Sequence, residues 1–163
     1  MFQFAPIGQV HEATATATIV ASGVNNQTVT LWTGWFPLVW YVSTTGSDET
    51  GDGSVDNPFA TIQRGIYAAS DGDTVLVASG TYVENVNIHT NIILTSTSGP
   101  ENTIIDGNQN GKVITLNESA PSDIRMKIIG FSIQNGNSNS PGAGISLRNR
   151  STVIENCFII NNK

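Results

Sequence analysis

The chain has 163 residues, with 7 Lys and Arg against 13 Asp and Glu, for a formal net charge of −6 at pH 7. That length fits one domain with a small appendage and suffices to bury a core, while the acidic balance argues against nucleic acid or an anionic lipid surface as partner. Charged residues make up only 12% and Gly numbers 16, which favours strands and turns over exposed helices. No apolar stretch reaches the length of a membrane span, so no membrane insertion is expected. Met1 is followed by no Lys or Arg before Arg64, so the start lacks the pattern of a signal peptide. The single cysteine, Cys157, excludes an internal disulfide. Its polar neighbours in Glu155-Asn156-Cys157-Phe158 mark it as a core thiol.

Residues 1–40 differ in kind from the rest and form a β-rich apolar segment. Ala13 to Ala21 alternates small residues with Thr, and Thr28-Val29-Thr30-Leu31-Trp32 alternates again around Asn25-Asn26. This predicts a β-hairpin. Trp32, Trp35 and Trp40 then fall within nine residues. They read as an apolar cover, or as a flat aromatic platform on which a sugar could stack.

Tyr41-Val42-Ser43 predicts a strand, followed by an acidic Gly-rich loop from Gly46 to Pro58. Asp48, Glu49, Asp52 and Asp56 offer hard oxygen ligands suited to Ca²⁺, although their spacing is not that of an EF-hand. An ordered turn network is the competing reading. Pro58 to Ser70 is the one predicted helix, most regular over 62–70. Ile62, Ile66 and Ala69 make one face, Thr61 caps the start, and Asp71-Gly72 closes the end. Such a helix can cover the open end of a stack of strands.

From Asp73 onward short strands arrive in series. They are predicted at Thr74–Ala78, Asn85–Ile88, Asn91–Thr95, Thr103–Ile105, Lys112–Leu116, Lys127–Phe131, Ser132–Gln134, Gly144–Leu147, Thr152–Glu155 and Phe158–Ile160, with a turn at Ser79-Gly80. Ile105 and Ile133 are 28 residues apart, and Phe131 and Phe158 are 27 apart, as are Asn135 and Asn162. A period in the high twenties predicts stacked coils with three strands each. Phe131 is then expected over Phe158, and Asn135 over Asn162.

The run Tyr41-Val42-Ser43, Gly46-Ser47-Asp48, Asp52-Gly53-Ser54, Asn57-Pro58-Phe59-Ala60-Thr61-Ile62-Gln63 resembles a known family. So do Gly72-Asp73-Thr74-Val75, Gly80-Thr81-Tyr82, Gly99-Pro100-Glu101 and Ile104-Ile105-Asp106-Gly107. The family is the right-handed parallel β-helix proteins of the pectin-lyase-like superfamily, in their extracellular, pectate-lyase-like group. The resemblance covers residues 41–163, the N-terminal cap and first coils. It implies an extracellular or cell-surface protein that binds or processes a polysaccharide or cell-surface glycan. Further coils of a longer chain would then follow, because Ile159 to Lys163 ends within a coil. The alternative is a non-catalytic scaffold or adhesive surface protein.

For a lyase, the resemblance implies Ca²⁺ or Arg neutralising a uronate carboxylate, with Lys or Arg as base. Arg148 and Arg150, which alternate and share a face, are the best candidates, against a reading as solvated loop residues. A hydrolase needs paired carboxylates, and only Asp106 and Glu155 are carried by strands. Asp106 reads as a turn residue. The sequence thus contains no complete catalytic constellation.

Overall fold

The structure is a computed structural model that describes residues 12–19, 27–35, 37–117, 126–148 and 152–163, with side chains from residue 37 onward. Residues 1–38 and 39–163 form two compact units. In the first, β1 (Glu12–Ile19) pairs antiparallel with β2 (Gln27–Trp35), with an irregularity between Ala15 and Thr16. The expected hairpin is therefore present. Its turn lies outside the described residues.

The second unit begins at β3 (Val39–Val42), two residues before the expected start of the stack. The helix α1 (Ile62–Ala68) follows, then eleven short strands. They are β4 (Thr74–Val77), β5 (Gly80–Val83), β6 (Val86–Ile88), β7 (Ile93–Ser96), β8 (Thr103–Asp106), β9 (Ile114–Leu116), β10 (Met126–Ile129), β11 (Ser132–Gln134), β12 (Ile145–Leu147), β13 (Thr152–Glu155) and β14 (Phe158–Ile160). Apart from β3, which pairs in parallel with β4, consecutive strands of this unit do not pair with each other. Each pairs instead, in parallel, with the strand three places along, building sheets β13-β10-β7-β4-β3, β14-β11-β8-β5 and β12-β9-β6. This all-β arrangement of stacked parallel sheets with one short helix is consistent with a parallel β-solenoid.

Alternation along each strand sends one set of side chains inward. Trp40, Val75, Leu94 and Ile128 stand in register across the first sheet, and all are buried. Tyr82, Ile105 and Ile133 do the same in the second sheet, as Ile88 and Leu116 do in the third. Burial ends with the last strands. Ile154, Ile159 and Leu147 continue these rows but are 37%, 50% and 48% exposed, because among the described residues no further strand pairs beyond theirs.

Several expectations need correction. Gly80–Val83 is a strand, not merely the exit of a turn: Tyr82 points inward and its hydroxyl donates to the Ala78 carbonyl at 3.0 Å. The 28-residue spacing holds for Ile105 and Ile133. Phe158, however, pairs with Ser132 rather than lying over Phe131, and it is 45% exposed while Phe131 is fully buried. The next interval is 26 residues, since Ile133 faces Ile159. That shift also separates the asparagines. Asn135 donates to Asp106 at 2.8 Å, whereas Asn162 donates to the Ile133 carbonyl and accepts from the Gly136 N–H. Asn135 and Asn161, each the residue that follows its strand, both hold positive φ, at 58° and 55°. Asn tolerates that left-handed conformation better than most side chains do. Cys157 is half-buried, with its thiol against the Glu155 and Ile128 carbonyls, rather than sunk in the core.

Trp40 is inside. Its indole N–H donates at 3.0 Å to the Asp73 carboxylate, which is fully buried and also accepts from the Ser70 N–H. Truncating one partner of a buried pair leaves the other unsatisfied. Asp73→Ala is therefore expected to lower unfolding stability by about 2 kcal/mol, read as a shift of the urea midpoint. An unchanged midpoint would show that this buried pair contributes nothing.

Candidate functional site

Between β3 and α1 the chain runs out and back as a loop from Ser43 to Phe59, and its geometry fixes what the neighbouring sheet presents. The loop returns alongside the edge of β3. Tyr41 donates to the Gly53 carbonyl, Phe59 donates to the Tyr41 carbonyl, and Ser43 donates to the Phe59 carbonyl. Inside it, Ser47 N–H bonds the Pro58 carbonyl and Gly51 N–H bonds the Ser47 carbonyl. Gly51 has no space for a side chain, since an added Cβ would collide with the Ser47 carbonyl oxygen. Phe59 is buried beside Trp40, their ring centroids 6.1 Å apart, and the Arg64 guanidinium lies 4.5 Å from the Phe59 centroid.

The acidic residues of the loop do not converge on a point. Asp48 accepts from the N–H groups of Ala60 and Thr61 at 2.7 and 3.0 Å and from the Thr61 hydroxyl at 2.7 Å. Asp52 accepts from the Ser54 N–H. Glu49 and Asp56 are exposed. Among the described residues no group of three or more His, Cys, Asp or Glu is placed to hold a metal ion. The Asp48 carboxylate that suggested a Ca²⁺ ligand is committed instead to the start of α1.

Glu84, which follows β5, completes that cap. Its two oxygens accept from Ile62 and Gln63 N–H at 2.9 and 3.0 Å. Two carboxylates thus satisfy four successive backbone donors at the helix start, where the helix dipole favours negative charge. Their titrations are driven apart. Burial raises Glu84, and the nearby Asp48 charge adds to this, against the lowering by its two backbone bonds. Burial also pushes Asp48 upward, but there the Thr61 hydroxyl, the Thr61 and Ala60 N–H groups and the Arg64 charge prevail and lower it.

The outer face of the first sheet and the loop enclose an open cleft of about 510 Å³. Tyr41 and Leu76, in register on β3 and β4, form its floor with Ser43, Ala78 and Thr97 beyond the strand ends. Thr45, Val55, Asp56 and Pro58 of the loop make the wall. Ser43 and Thr45 hydroxyls lie 2.9 Å apart. Among the described residues no basic side chain lines the cleft. Size and composition fall within the range of small-molecule sites, about 300 to 1,000 Å³ with an apolar lining and a few polar groups.

The other candidates are scattered. Trp40 is a core residue and presents no face to a sugar. The side chains of Trp32 and Trp35 lie outside the described residues, as does Arg150. Arg148 follows β12 and is exposed, its N–H on the Leu116 carbonyl. Lys112 donates to the Ser146 hydroxyl at 2.9 Å. Asp106 is held by Asn108 N–H and the side-chain amides of Gln134 and Asn135. Burial raises its pKa, but those three donors outweigh it and hold the carboxyl below its ordinary value. Glu155 stands on a different sheet. Sequence reasoning missed the cleft because its floor and wall come from separate segments joined only by folding. The alternation of Tyr41 with Trp40 and Val42 was the available signal that Tyr41 faces outward.

No protein-family model matches this chain, and no curated protein matches it significantly. Among the described residues no helix is long and apolar enough to cross a membrane.

The two caps of α1 give a signed prediction. Because the folded-state pKa of Glu84 is raised above 4.5, its contribution is full below the unfolded value and is lost as pH rises through the folded one. Asp48, lowered below 3.8, contributes fully above that value, and the contribution is lost as pH falls through its folded pKa. Urea unfolding across the acid range should show Glu84→Gln removing the decline on the rising side. Asp48→Asn should remove part of the loss in acid. Parallel profiles for both variants and the parent would contradict this assignment.

Proposed function

We propose that the chain is the N-terminal part of a right-handed parallel β-helix of the pectin-lyase-like kind, extracellular or cell-surface in location, that binds a glycan without cleaving it. What supports the binding half is the lateral cleft: an outward tyrosine on a rigid sheet, ringed by hydroxyls from Ser43, Thr45 and Thr97. A sugar ring offers an apolar C–H face to an aromatic side chain and hydroxyls to the residues around it, so both halves of the lining find a partner. Successive strands of the floor repeat at about 4.8 Å, close to the length of one pyranose unit in an extended chain.

What supports the non-catalytic half is the placement of acids and bases. A hydrolase needs two carboxylates about 5 to 9.5 Å apart across a substrate groove. Asp106 is occupied by three donors, and Glu155 belongs to another sheet. The cleft itself has Asp56 and no base. The competing reading is a polysaccharide lyase using Arg148 and Arg150. It predicts that acidic polysaccharide with Ca²⁺ gains the ultraviolet absorbance of unsaturated uronates, and our reading predicts no gain.

Binding is tested by calorimetric titration with a panel of soluble oligosaccharides. Tyr41→Ala should weaken the best ligand about tenfold, or about 1.4 kcal/mol, while the far-ultraviolet circular dichroism stays that of the parent. Equal affinity in parent and variant would remove the cleft from the account.

A further inference from the structure

We infer that Asn110 is a site of spontaneous deamidation, the position at which the folded protein ages, while a second Asn-Gly pair is held inert by the residues packed around it. The inference is independent of the glycan-binding reading. The pair occurs twice, at Asn110-Gly111 and Asn135-Gly136. Glycine has no side chain to obstruct attack by its backbone nitrogen on the preceding side-chain amide, so in an unfolded chain both pairs are reactive. The fold separates them.

Asn110 is exposed in the turn between β8 and β9, and among the described residues no hydrogen bond engages its side chain. A Cβ built on Gly111 would meet nothing within 4 Å, so this peptide has room to turn. Gly111 bridges to Asn137, its carbonyl accepting from the Asn137 N–H at 2.8 Å, and that contact leaves the Asn110 amide untouched. Asn135 stands in the opposite situation. It is half-buried and Gly136 is buried. The Asn135 amide donates to the Asp106 carboxylate at 2.8 Å, and its carbonyl accepts from the Gln109 N–H at 2.7 Å. The Gly136 N–H, whose nitrogen would be the nucleophile, donates to Asn162 Oδ1 at 2.7 Å. The Ala143 carbonyl packs so closely that a Cβ on Gly136 would collide with it. Ring closure at Asn135 must therefore break a charge-assisted bond and release a bonded N–H within a packed turn. At Asn110 no side-chain bond is lost.

The reaction needs only water and a solvent base. Hydroxide takes the proton of the Gly111 nitrogen, which then attacks Cγ of Asn110. A C–N bond forms, a cyclic imide closes, and the side-chain nitrogen leaves as ammonia with a proton from water. Water then opens the imide at either carbonyl, giving aspartate or isoaspartate, and nothing is oxidised or reduced. The product adds one negative charge to a chain of net charge −6. In the isoaspartyl form the backbone is one methylene longer beside Gly111, where the bridge to Asn137 is made.

The test is peptide mapping by mass spectrometry after incubating the whole chain in mildly alkaline buffer. Cleavage after Lys112, Lys127 and Arg148 puts the two pairs on separate peptides, 65–112 and 128–148. Asn110 should convert to aspartate and isoaspartate more than about tenfold faster than Asn135. The difference should vanish in guanidinium, where sequence alone governs both. Asn162→Ala, which removes the acceptor of the Gly136 N–H, should raise the rate at Asn135 and leave Asn110 unchanged. Equal rates at the two sites in the folded protein would overturn the inference. So would an Asn110 that converts in guanidinium but stays intact in the folded chain. An unchanged Asn135 rate in the Asn162 variant would overturn the protection assigned to that bond.

Discussion

A stack of parallel strands depends on what happens at its first edge. Each strand donates and accepts along the axis of the stack, so the outermost one is left with a row of backbone groups that must be satisfied or will recruit another chain. In this protein β3 is that strand. The returning loop meets it through Tyr41, Ser43, Gly53 and Phe59, so the edge is paired by its own connection. Phe59 also makes a parallel bridge with Val42, extending the sheet by a single residue pair. The loop is therefore the end of the sheet as much as a link between elements.

The helix start is tied to the same construction. Asp48 comes from the loop and Glu84 from the segment after β5, and together they hold the backbone from Ala60 to Gln63. Glu84 thereby joins the first full coil to the helix across 22 residues of sequence. Gly65 then lets α1 approach the sheet, because a Cβ there would lie 2.9 Å from Val42 and 3.0 Å from Val75. Capping, close packing and edge pairing all fall on one short region. The cleft is its outward consequence: a loop stiffened for structural reasons stands as a wall beside the exposed face of the sheet.

Much of this architecture was legible in the sequence because it is local. Short apolar runs broken by Gly, Asn and Asp give strands of three or four residues, and Ser132–Gln134, Thr152–Glu155 and Phe158–Ile160 were placed to the residue. The helix was legible from Ile62 and Ile66, which are both fully buried. Register was less so. A one-residue change of interval moves every side chain to a new partner, and the drop from 28 to 26 residues separated Phe131 from Phe158. Trp40 misled for a related reason: its buried partner Asp73 lies 33 residues away. The role of Asp48 was hidden likewise, since a carboxylate that caps a helix and one that binds a cation have the same letter. The cleft had no sequence signature because it is the space between two segments.

The central claim is that residues far apart in sequence stack in fixed parallel register, and backbone nuclear magnetic resonance tests it most directly. Cross-strand proton contacts should connect Tyr82 to Ile105 and Ile105 to Ile133, with Val75, Leu94 and Ile128 linked in the same way in the first sheet. Contacts in this pattern would establish the coils and the outward position of Tyr41. Antiparallel contacts between consecutive strands, such as β7 with β8, would contradict the stack, and the cleft would go with it.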